Sequence, residues 1–579
     1  MIDNIRNILK IVKIDKVMLS IGILFSLLST IASLSFPILL KNIINDITKN
    51  NFTPMSIFML ILIALLDLLF TGISMYLLAR VGELVVLNLR EKLWKKILNA
   101  KFGFFEKNSN GEIISRLMND TNLLNEIFST EVAEFITGIF TVIGTIFILI
   151  KLDALLTLLI AVNIPFITII IYPLGKFLFK NSKEVQKANA NTSNYILDKL
   201  NNIRLIKTSS TLTSEIIGGN NQFKKIYNFD MKRNMVQSII TPIIMLIFVS
   251  TIIGMIFFGA YRVIKGIITP GNLFAFIVYI IQLMPSLITI VTFWNKISVA
   301  SGASSRIYDI LNFEDEGKNI INFHTNKNIS SLILKNIVFS KNGEKIIDDF
   351  SFNFKINNFY NIVGFSGAGK STIFNIICKF IIPTSGSLSI NNDSNYSTYD
   401  WRNNIAYISQ SINMFEDTLR MNILYGVKEK YTDDEILNYL SKIGLKNIVN
   451  KLPKGLDTKI SRDSSILSGG EKQRIALLRG VLSKKTILLI DEVSSNVDSK
   501  NDYMIYSFLK ENNSGRIILN ITHKLSNFQN DDNIVVIDKG KIESYGTENQ
   551  LMVTSPIYKK LKKFYNGKVN KGYLNKKGN

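Results

Sequence analysis

The chain has 579 residues, of which 47% are hydrophobic, and its mean hydropathy is +0.23. That length calls for more than one domain, and the crowding of apolar residues into the first half excludes a wholly soluble protein. A formal net charge of +22 would suit a nucleic-acid surface, but most of the basic residues flank apolar runs. Anionic lipid and membrane topology account for them, and no nucleic-acid partner is expected. Cys378 is the only cysteine, so an intrachain disulfide and a four-cysteine metal site are both excluded.

In chain order, Met1 to Lys16 is mixed polar and basic and leads into an apolar run with no small-residue cleavage site, so the first span is retained rather than removed as a signal. Six segments are long and apolar enough to cross a bilayer: 17–40, 55–79, 132–150, 154–178, 237–260 and 272–299. The third and fourth are separated by little more than Lys151 and Asp153, which predicts a tight hairpin. The connectors Arg80 to Glu131 and Phe179 to Val236 are long, polar and basic, with Leu84, Leu87, Leu93 and Ile97 at helical spacing. Arg6, Lys10 and Lys13 precede the first span, and the two connectors carry Arg80, Arg90, Lys95, Lys183, Lys199, Arg204 and Lys232, whereas the opposite loops hold few cations. The positive-inside rule therefore predicts cytoplasmic connectors and termini. Within the spans, Asp67 is an ionisable group at membrane depth and a candidate for the substrate path. Asn163, Tyr279 and Gln282 are lesser polar candidates, and Pro165, Pro242 and Pro285 can kink their helices.

The expected domain plan is a transmembrane domain over 1–311, a linker over 312–330, an α/β nucleotide-binding domain over 331–565 and a basic tail over 566–579. Gly364–Thr372 reads GFSGAGKST and follows the apolar run Phe359 to Val363. Glycines at this spacing let successive N–H groups curl around a polyphosphate at a helix start; here Gly364, Ser366, Gly367, Gly369 and Thr372 form the cradle. Lys370 is placed to reach the β- and γ-phosphates, and the Ser371 hydroxyl to bind Mg²⁺. The run Thr486 to Ile490 is a buried-strand pattern ending in Asp491-Glu492. Asp491 suits the metal, and Glu492 suits a general base acting on water. Ser468 stands three residues before Glu471, a capping box, and Gly469 and Gly470 keep the end of that helix open to an anion.

The stretch Leu467 to Arg474, LSGGEKQR, makes the chain resemble an ATP-binding cassette (ABC) transporter. More narrowly, it is similar to exporter half-transporters, which fuse six transmembrane helices to one α/β P-loop cassette. The resemblance implies that Gln410 senses Mg²⁺ and nucleotide, that Asp498 belongs to a loop crossing a dimer interface, and that His523 contacts the γ-phosphate. It also implies that Ser468 and Gly470 of one subunit close over ATP held by Lys370 of another, so that two subunits form two ATP sites. Coupling segments are implied at Gly111 to Asn122 and Ile206 to Glu215. His324, in the linker, is expected to be an ordinary surface histidine.

Three positions depart from the family pattern. Lys341 stands where an aromatic would stack on adenine, so either base stacking is weakened or Lys341 lies over the ring by its stem and charge, while Phe339 packs in the core. Arg462 replaces a carboxylate before the signature, and Asn496-Val497 replace an alanine-leucine pair. The resulting expectation is a dimeric exporter of the bacterial cell membrane, preferably a homodimer. It hydrolyses ATP with Mg²⁺ to move a peptide, lipid or amphipathic drug by alternating access. The alternative is a regulatory or sensory membrane ATPase, or a partly degenerate partner in a heterodimer.

Overall fold

A computed structural model describes residues 14–51, 53–316, 329–412, 414–460, 466–492, 499–525 and 531–564, with Ile8, Ile11, Val12, Phe528 and Gln529. At 159–172, 174–175, 178–179, 183, 241 and 499–501 it describes backbone alone. The chain divides into two compact units, Met1–Lys95 with Gly111–Asn312, and Lys96–Asn110 with Phe313–Asn579.

The first unit is helical. Its elements are α1 (Lys16–Thr48), α2 (Pro54–Leu98, whose end enters the second unit), a stretch that starts at Asn110 and ends at Leu152, α5 (Ala154–Asn201), α6 (Ile203–Thr208), α7 (Leu212–Ile264) and α8 (Pro270–Asn312). The Asn110–Leu152 stretch is α4; the short α3 (Gly103–Lys107) belongs to the second unit. At about 1.5 Å per residue, α2 with 45 residues and α7 with 53 far exceed a hydrocarbon layer about 30 Å thick. Their polar ends therefore extend beyond it. Among the described residues five helices are long and apolar enough to span, and the fourth predicted span lies within α5, most of whose side chains at that depth are not described. Asn163 and Pro165 fall among those side chains, whereas Pro242 and Pro285 lie inside α7 and α8.

The predicted hairpin forms for a local reason. Asp153 leaves the helical conformation and its carboxylate accepts from the N–H groups of Leu155 and Leu156, both at 2.9 Å, which caps α5 directly after α4 ends. Arg262 of α7 donates to the other oxygen of the same carboxylate at 2.6 Å. Two π-helical turns, Arg116–Asp120 and Ile127–Glu131, interrupt α4. Each ends on a buried carboxylate that meets a cation of α8: Asp120 takes both forks of Arg306 at 2.8 and 2.7 Å, and Glu131 pairs with Lys296.

The second unit is an α/β domain. Strands β1 (Ser331–Lys341), β2 (Glu344–Lys355) and β4 (Ser385–Ile390) form an antiparallel sheet in the order β2-β1-β4. A six-stranded sheet runs β11-β10-β3-β9-β8-β5, using β3 (Asn358–Val363), β5 (Ile405–Ile408), β8 (Ile487–Asp491), β9 (Ile517–Ile521), β10 (Asn533–Asp538) and β11 (Lys541–Gly546). A short pair, β6 (Asp417–Thr418) and β7 (Lys459–Ile460), lies apart. In the larger sheet only β11 is antiparallel. Strands β8 and β9 are buried at every position, which explains why they are apolar apart from Asp491 and Asn520; a parallel sheet covered on both faces has no solvent side to alternate toward. Two apolar cores cover it, one around Phe350, Phe374 and Trp401, the other around Leu419, Ile436 and Leu478.

The segment Lys96–Asn110 packs with this domain. Phe102 stacks on Phe380 with ring centroids 4.7 Å apart, Phe104 meets Phe313, and Lys96 pairs with Asp315 at 2.8 Å. The segment directly precedes Gly111 to Asn122, where the resemblance implies a coupling segment. The linker with His324, and the basic tail, lie outside the described residues.

Candidate active site

Four adjacent strands of the large sheet, β3, β9, β8 and β5, end on the same side, and the turn after each end carries chemistry. After β3 comes the loop Gly364–Gly369, then α9 (Lys370–Ile377). Gly367 and Gly369 adopt φ of +82° and +95°, left-handed values that favour glycine and turn consecutive N–H groups inward. A Cβ on Gly364 would lie 2.3 Å from the Ile537 carbonyl, and one on Gly369 would lie 2.6 Å from Ile347. The loop is thus pressed against the fold from behind while Ser366 and Gly367 stay exposed in front. Lys370 is buried, its Nζ donating to the carbonyls of Gly364 at 2.9 Å and Phe365 at 3.0 Å. Burial lowers the Lys370 pKa, partly offset by Glu492 and Asp491. An ammonium with one donor left and a desolvation cost gains from a phosphate.

Asp491 closes β8 and is buried. Ser371 Oγ donates to its Oδ1 at 3.3 Å and the Tyr407 hydroxyl to its Oδ2 at 3.4 Å. Desolvation raises its pKa, with the Ser371 bond opposing. A buried carboxylate held by two long hydrogen bonds is under-compensated, and a cation would relieve it. The donors here are all oxygen: the Ser371 hydroxyl, the Asp491 carboxylate and the Gln410 amide carbonyl, a set that fits a hard cation such as Mg²⁺. Among the described residues no group of three or more His, Cys, Asp and Glu could hold a metal unaided. Mg²⁺ commonly keeps water and phosphate oxygens as its other ligands.

Glu492, one residue on, adopts φ +52°, costing on the order of 1–3 kcal/mol for a non-glycine residue. That turn sends its side chain between two partners. Gln410 Nε2 donates to Oε2 at 2.7 Å, and His523 Nε2 lies 2.6 Å from Oε1. Its own N–H is held by the Ile521 carbonyl at 3.0 Å. The three side chains come from the ends of β5, β8 and β9, so a carboxylate is gripped at both oxygens beside the phosphate loop.

The signature helix α14 (Gly469–Leu482), which follows α10 (Thr398–Asn403), α11 (Leu419–Leu424), α12 (Asp433–Lys442) and α13 (Lys446–Lys451), starts with the predicted capping box. Ser468 Oγ accepts from the Glu471 N–H at 3.3 Å, and the Glu471 carboxylate accepts from the Ser468 N–H at 2.7 Å. A Cβ at Gly469 would meet nothing within 4 Å, so the approach to this helix start is open. Lys341 is exposed at the end of β1, and Phe339 packs against the core. Asp498, Asn496, Val497 and Arg462 lie outside the described residues. Tyr407 was not singled out in the sequence. Its signal is its place on β5, three residues before Gln410, where the strand's alternation turns the hydroxyl toward β8.

In the first unit Asp67 accepts from Ser29 Oγ at 2.5 Å, while Gln282 donates to Ser33 and Tyr279 donates to the Leu34 carbonyl at 2.5 Å.

The fold and this site define a membrane-spanning ATPase. Residues 19–287 match the family described as ABC transporter transmembrane region, and residues 347–495 match ABC transporter. The chain is 28% identical over 567 residues to a multidrug resistance ABC transporter ATP-binding and permease protein of Lactococcus lactis subsp. lactis (strain IL1403), covering 96% of this chain and 95% of that one. It is 30% identical over 501 residues to an export ATP-binding/permease protein of Rickettsia typhi (strain ATCC VR-144 / Wilmington), covering 84% and 85%. A solved bacterial Atm1-family ABC exporter with ATP bound shares the fold with a TM-score of 0.78 at 21% identity, over 93% of this chain and 96% of that one. The chain belongs to the ABC transporter family, as an exporter-type half-transporter whose ATPase is coupled to transport across a membrane.

Proposed function

We propose that two such chains form an exporter of the bacterial cell membrane, with connectors and cassettes in the cytoplasm, that moves an amphipathic cargo outward by alternating access. The observation that carries the reading is Glu492, gripped at both oxygens by Gln410 and His523 and next in sequence to the buried Asp491. Lys370 offers its remaining N–H to the terminal phosphates, and the loop N–H groups orient them. Ser371, Asp491 and Gln410 would hold Mg²⁺, which would offset phosphate charge. Glu492 accepts the proton of the attacking water, and His523 keeps that carboxylate turned toward it. One chain has one phosphate loop and one signature helix, so Ser468, Gly469 and Gly470 complete the site of the second subunit. Asp498 and Lys341 are assigned to the subunit interface and the adenine.

The test is Mg²⁺-dependent ATPase of the purified chain in lipid, together with ATP-driven accumulation of cargo in inside-out vesicles. Turnover by the chain alone, stimulated by cargo, supports a homodimer. Silence relieved by a second, different half-transporter supports a heterodimer, a reading favoured by Lys341 in place of the stacking aromatic. Hydrolysis with no accumulation of any cargo would overturn export.

A further inference from the structure

Three helices of the membrane unit bring small polar residues to one place. On α4, Thr130, Glu134, Thr137 and Thr141 recur every three or four residues and so share one helix face. From α1 come Ser26, Ser29, Thr30 and Ser33, and from α2 come Asp67, Thr71 and Ser74, at the same kind of spacing. These side chains line a single cavity of about 330 Å³. It holds two carboxylates, and no lysine or arginine lines it.

The hydrogen-bonding capacity of its wall is lopsided. Thr30 donates to the Ser26 carbonyl at 2.9 Å, Thr130 to Glu126 at 3.0 Å, Thr137 to Ala133 at 2.9 Å and Thr141 to Thr137 at 2.8 Å. Ser74 reaches across helices to the Gly22 carbonyl at 2.9 Å. A carbonyl oxygen can only accept, so each of these hydroxyls has used its hydrogen and keeps only lone pairs. Ser29 uses its hydrogen on Asp67 Oδ1 at 2.5 Å, and Oδ2 takes no hydrogen bond among the described residues. A neighbouring cavity of about 350 Å³ shares Ser33 and Asp67 and adds Gln282. The Gln282 amide donates to Ser33, and its Oε1 is buried with no partner among the described residues. Thr71 meets Ser29 at 2.8 Å, and Ser33, which accepts from Gln282, is the one lining hydroxyl among these that keeps a hydrogen; otherwise the walls present acceptors and negative charge at membrane depth. Unmatched acceptors are costly in low dielectric until a donor arrives.

We propose that these joined cavities load a cation that carries N–H donors: a primary ammonium, a polyamine or a guanidinium. Such a group supplies both the charge and the hydrogens that the wall lacks. A quaternary ammonium supplies the charge alone, and an anion meets two carboxylates. The assignment rests on the export reading and names its cargo class.

The experiment measures equilibrium binding of radiolabelled spermidine to the nucleotide-free full chain in nanodiscs of neutral lipid, so that neither headgroup charge nor transport contributes. Saturable binding is expected, with tetraethylammonium competing at least about tenfold more weakly than n-butylammonium, a cation of the same charge, since it cannot form charge-assisted hydrogen bonds. Asp67→Asn, which keeps the side chain's shape, is expected to lower spermidine affinity about tenfold, and Asp67→Asn with Glu134→Gln to lower it further. Absence of saturable binding, equal competition by tetraethylammonium, or undiminished affinity in the double variant at an unchanged melting temperature would overturn the proposal. The tetraethylammonium comparison uses the unaltered chain, so a misfolded variant cannot obscure it. Failed binding beside intact ATP-driven accumulation of another cargo sinks the cation site and spares export; intact binding beside absent transport does the reverse.

Discussion

The ATP site and the membrane cavity both gather residues from distant parts of the chain, yet they are built on opposite plans. In the cassette, parallel strands deliver four turns to one edge, and each functional group is fixed by its own backbone: the left-handed Gly367, Gly369 and Glu492, or the strand end that carries Asp491. Side chains then lock one another, as Gln410 and His523 lock Glu492. In the membrane unit no turn is involved. Helices present side chains at periodic positions, and the threonines of α4 bond carbonyls of their own helix, while Ser29 and Ser74 make the few bonds between helices. A site of the first kind holds rigid geometry for a phosphate and a water molecule; one of the second leaves a roomy surface of fixed polarity. The first plan suits chemistry and the second suits tolerant recognition.

The largest test of this contrast is Glu492→Gln. If the grip by Gln410 and His523 serves proton transfer, ATP turnover falls by about 10²–10⁴-fold while ATP binding persists, measured by steady-state hydrolysis beside fluorescent-nucleotide titration. Near-normal hydrolysis would remove Glu492 from the role of base. Next comes Lys370→Ala, which removes a buried ammonium aimed at phosphate. Nucleotide affinity is expected to fall about tenfold or more, in line with loss of a charged hydrogen bond; unchanged affinity would break the reading of Gly364–Thr372 as a phosphate loop.

The two plans also explain what the sequence could tell. A turn that fixes backbone shape needs particular residues in a contiguous run, so GFSGAGKST, the Asp491-Glu492 step and the Ser468–Glu471 capping box all stand out in a linear reading. The capping box appears in the structure with both reciprocal bonds. The grip on Glu492 was half legible, because Gln410 and His523 are recognised by motif while their meeting on one carboxylate depends on the order β9-β8-β5. Tyr407 was missed since one tyrosine on a strand carries no local signature. In the membrane Asp67 stood out most, because a lone charge in an apolar run is conspicuous, and Gln282, a lesser polar candidate, lines the neighbouring cavity. The threonines of α4 pass as ordinary helix residues until α1 and α2 are seen to bring their own polar faces to the same cavity. The segment Lys96–Asn110 was similarly hidden, as its contacts with Phe380 and Phe313 span over 200 positions.

A stability test contrasts the two interiors. Tyr506 of the cassette accepts from Asn361 at 2.9 Å and donates to Asp532, all three buried, and Asn520 extends the chain to Asn361. Tyr506→Phe leaves a buried amide and a buried carboxylate each short of a partner and is expected to cost about 1–3 kcal/mol, read as a lower denaturant midpoint of the cassette. Asp491→Asn should act in the opposite direction, though it also disables hydrolysis. Burial raises the Asp491 pKa, so the folded form binds its proton more tightly than the unfolded form. Stability is then lost as pH rises from the ordinary carboxylate range through the raised value. Removing the charge should raise the melting temperature of nucleotide-free protein at neutral pH by roughly 2–4 °C, the size of a ~1 kcal/mol gain. The gain should shrink as the pH falls into the ordinary carboxylate range, and a gain independent of pH would exclude this cause.

The smallest expected effect belongs to the membrane unit. The Tyr279 hydroxyl donates to the Leu34 carbonyl at 2.5 Å between α8 and α1, and the ring is fully buried. By distance and burial it rivals the bonds around Tyr506. Yet a helix in lipid keeps its own backbone bonds even when separated from its neighbours, so the Leu34 carbonyl never becomes the orphan that a cassette strand would leave. Tyr279→Phe should therefore cost only about 0.6 kcal/mol, seen as a slight fall in the detergent-denaturation midpoint. A loss as large as that of Tyr506→Phe would show that the two interiors obey the same rule, and the contrast between fixed turns and self-sufficient helices would not hold.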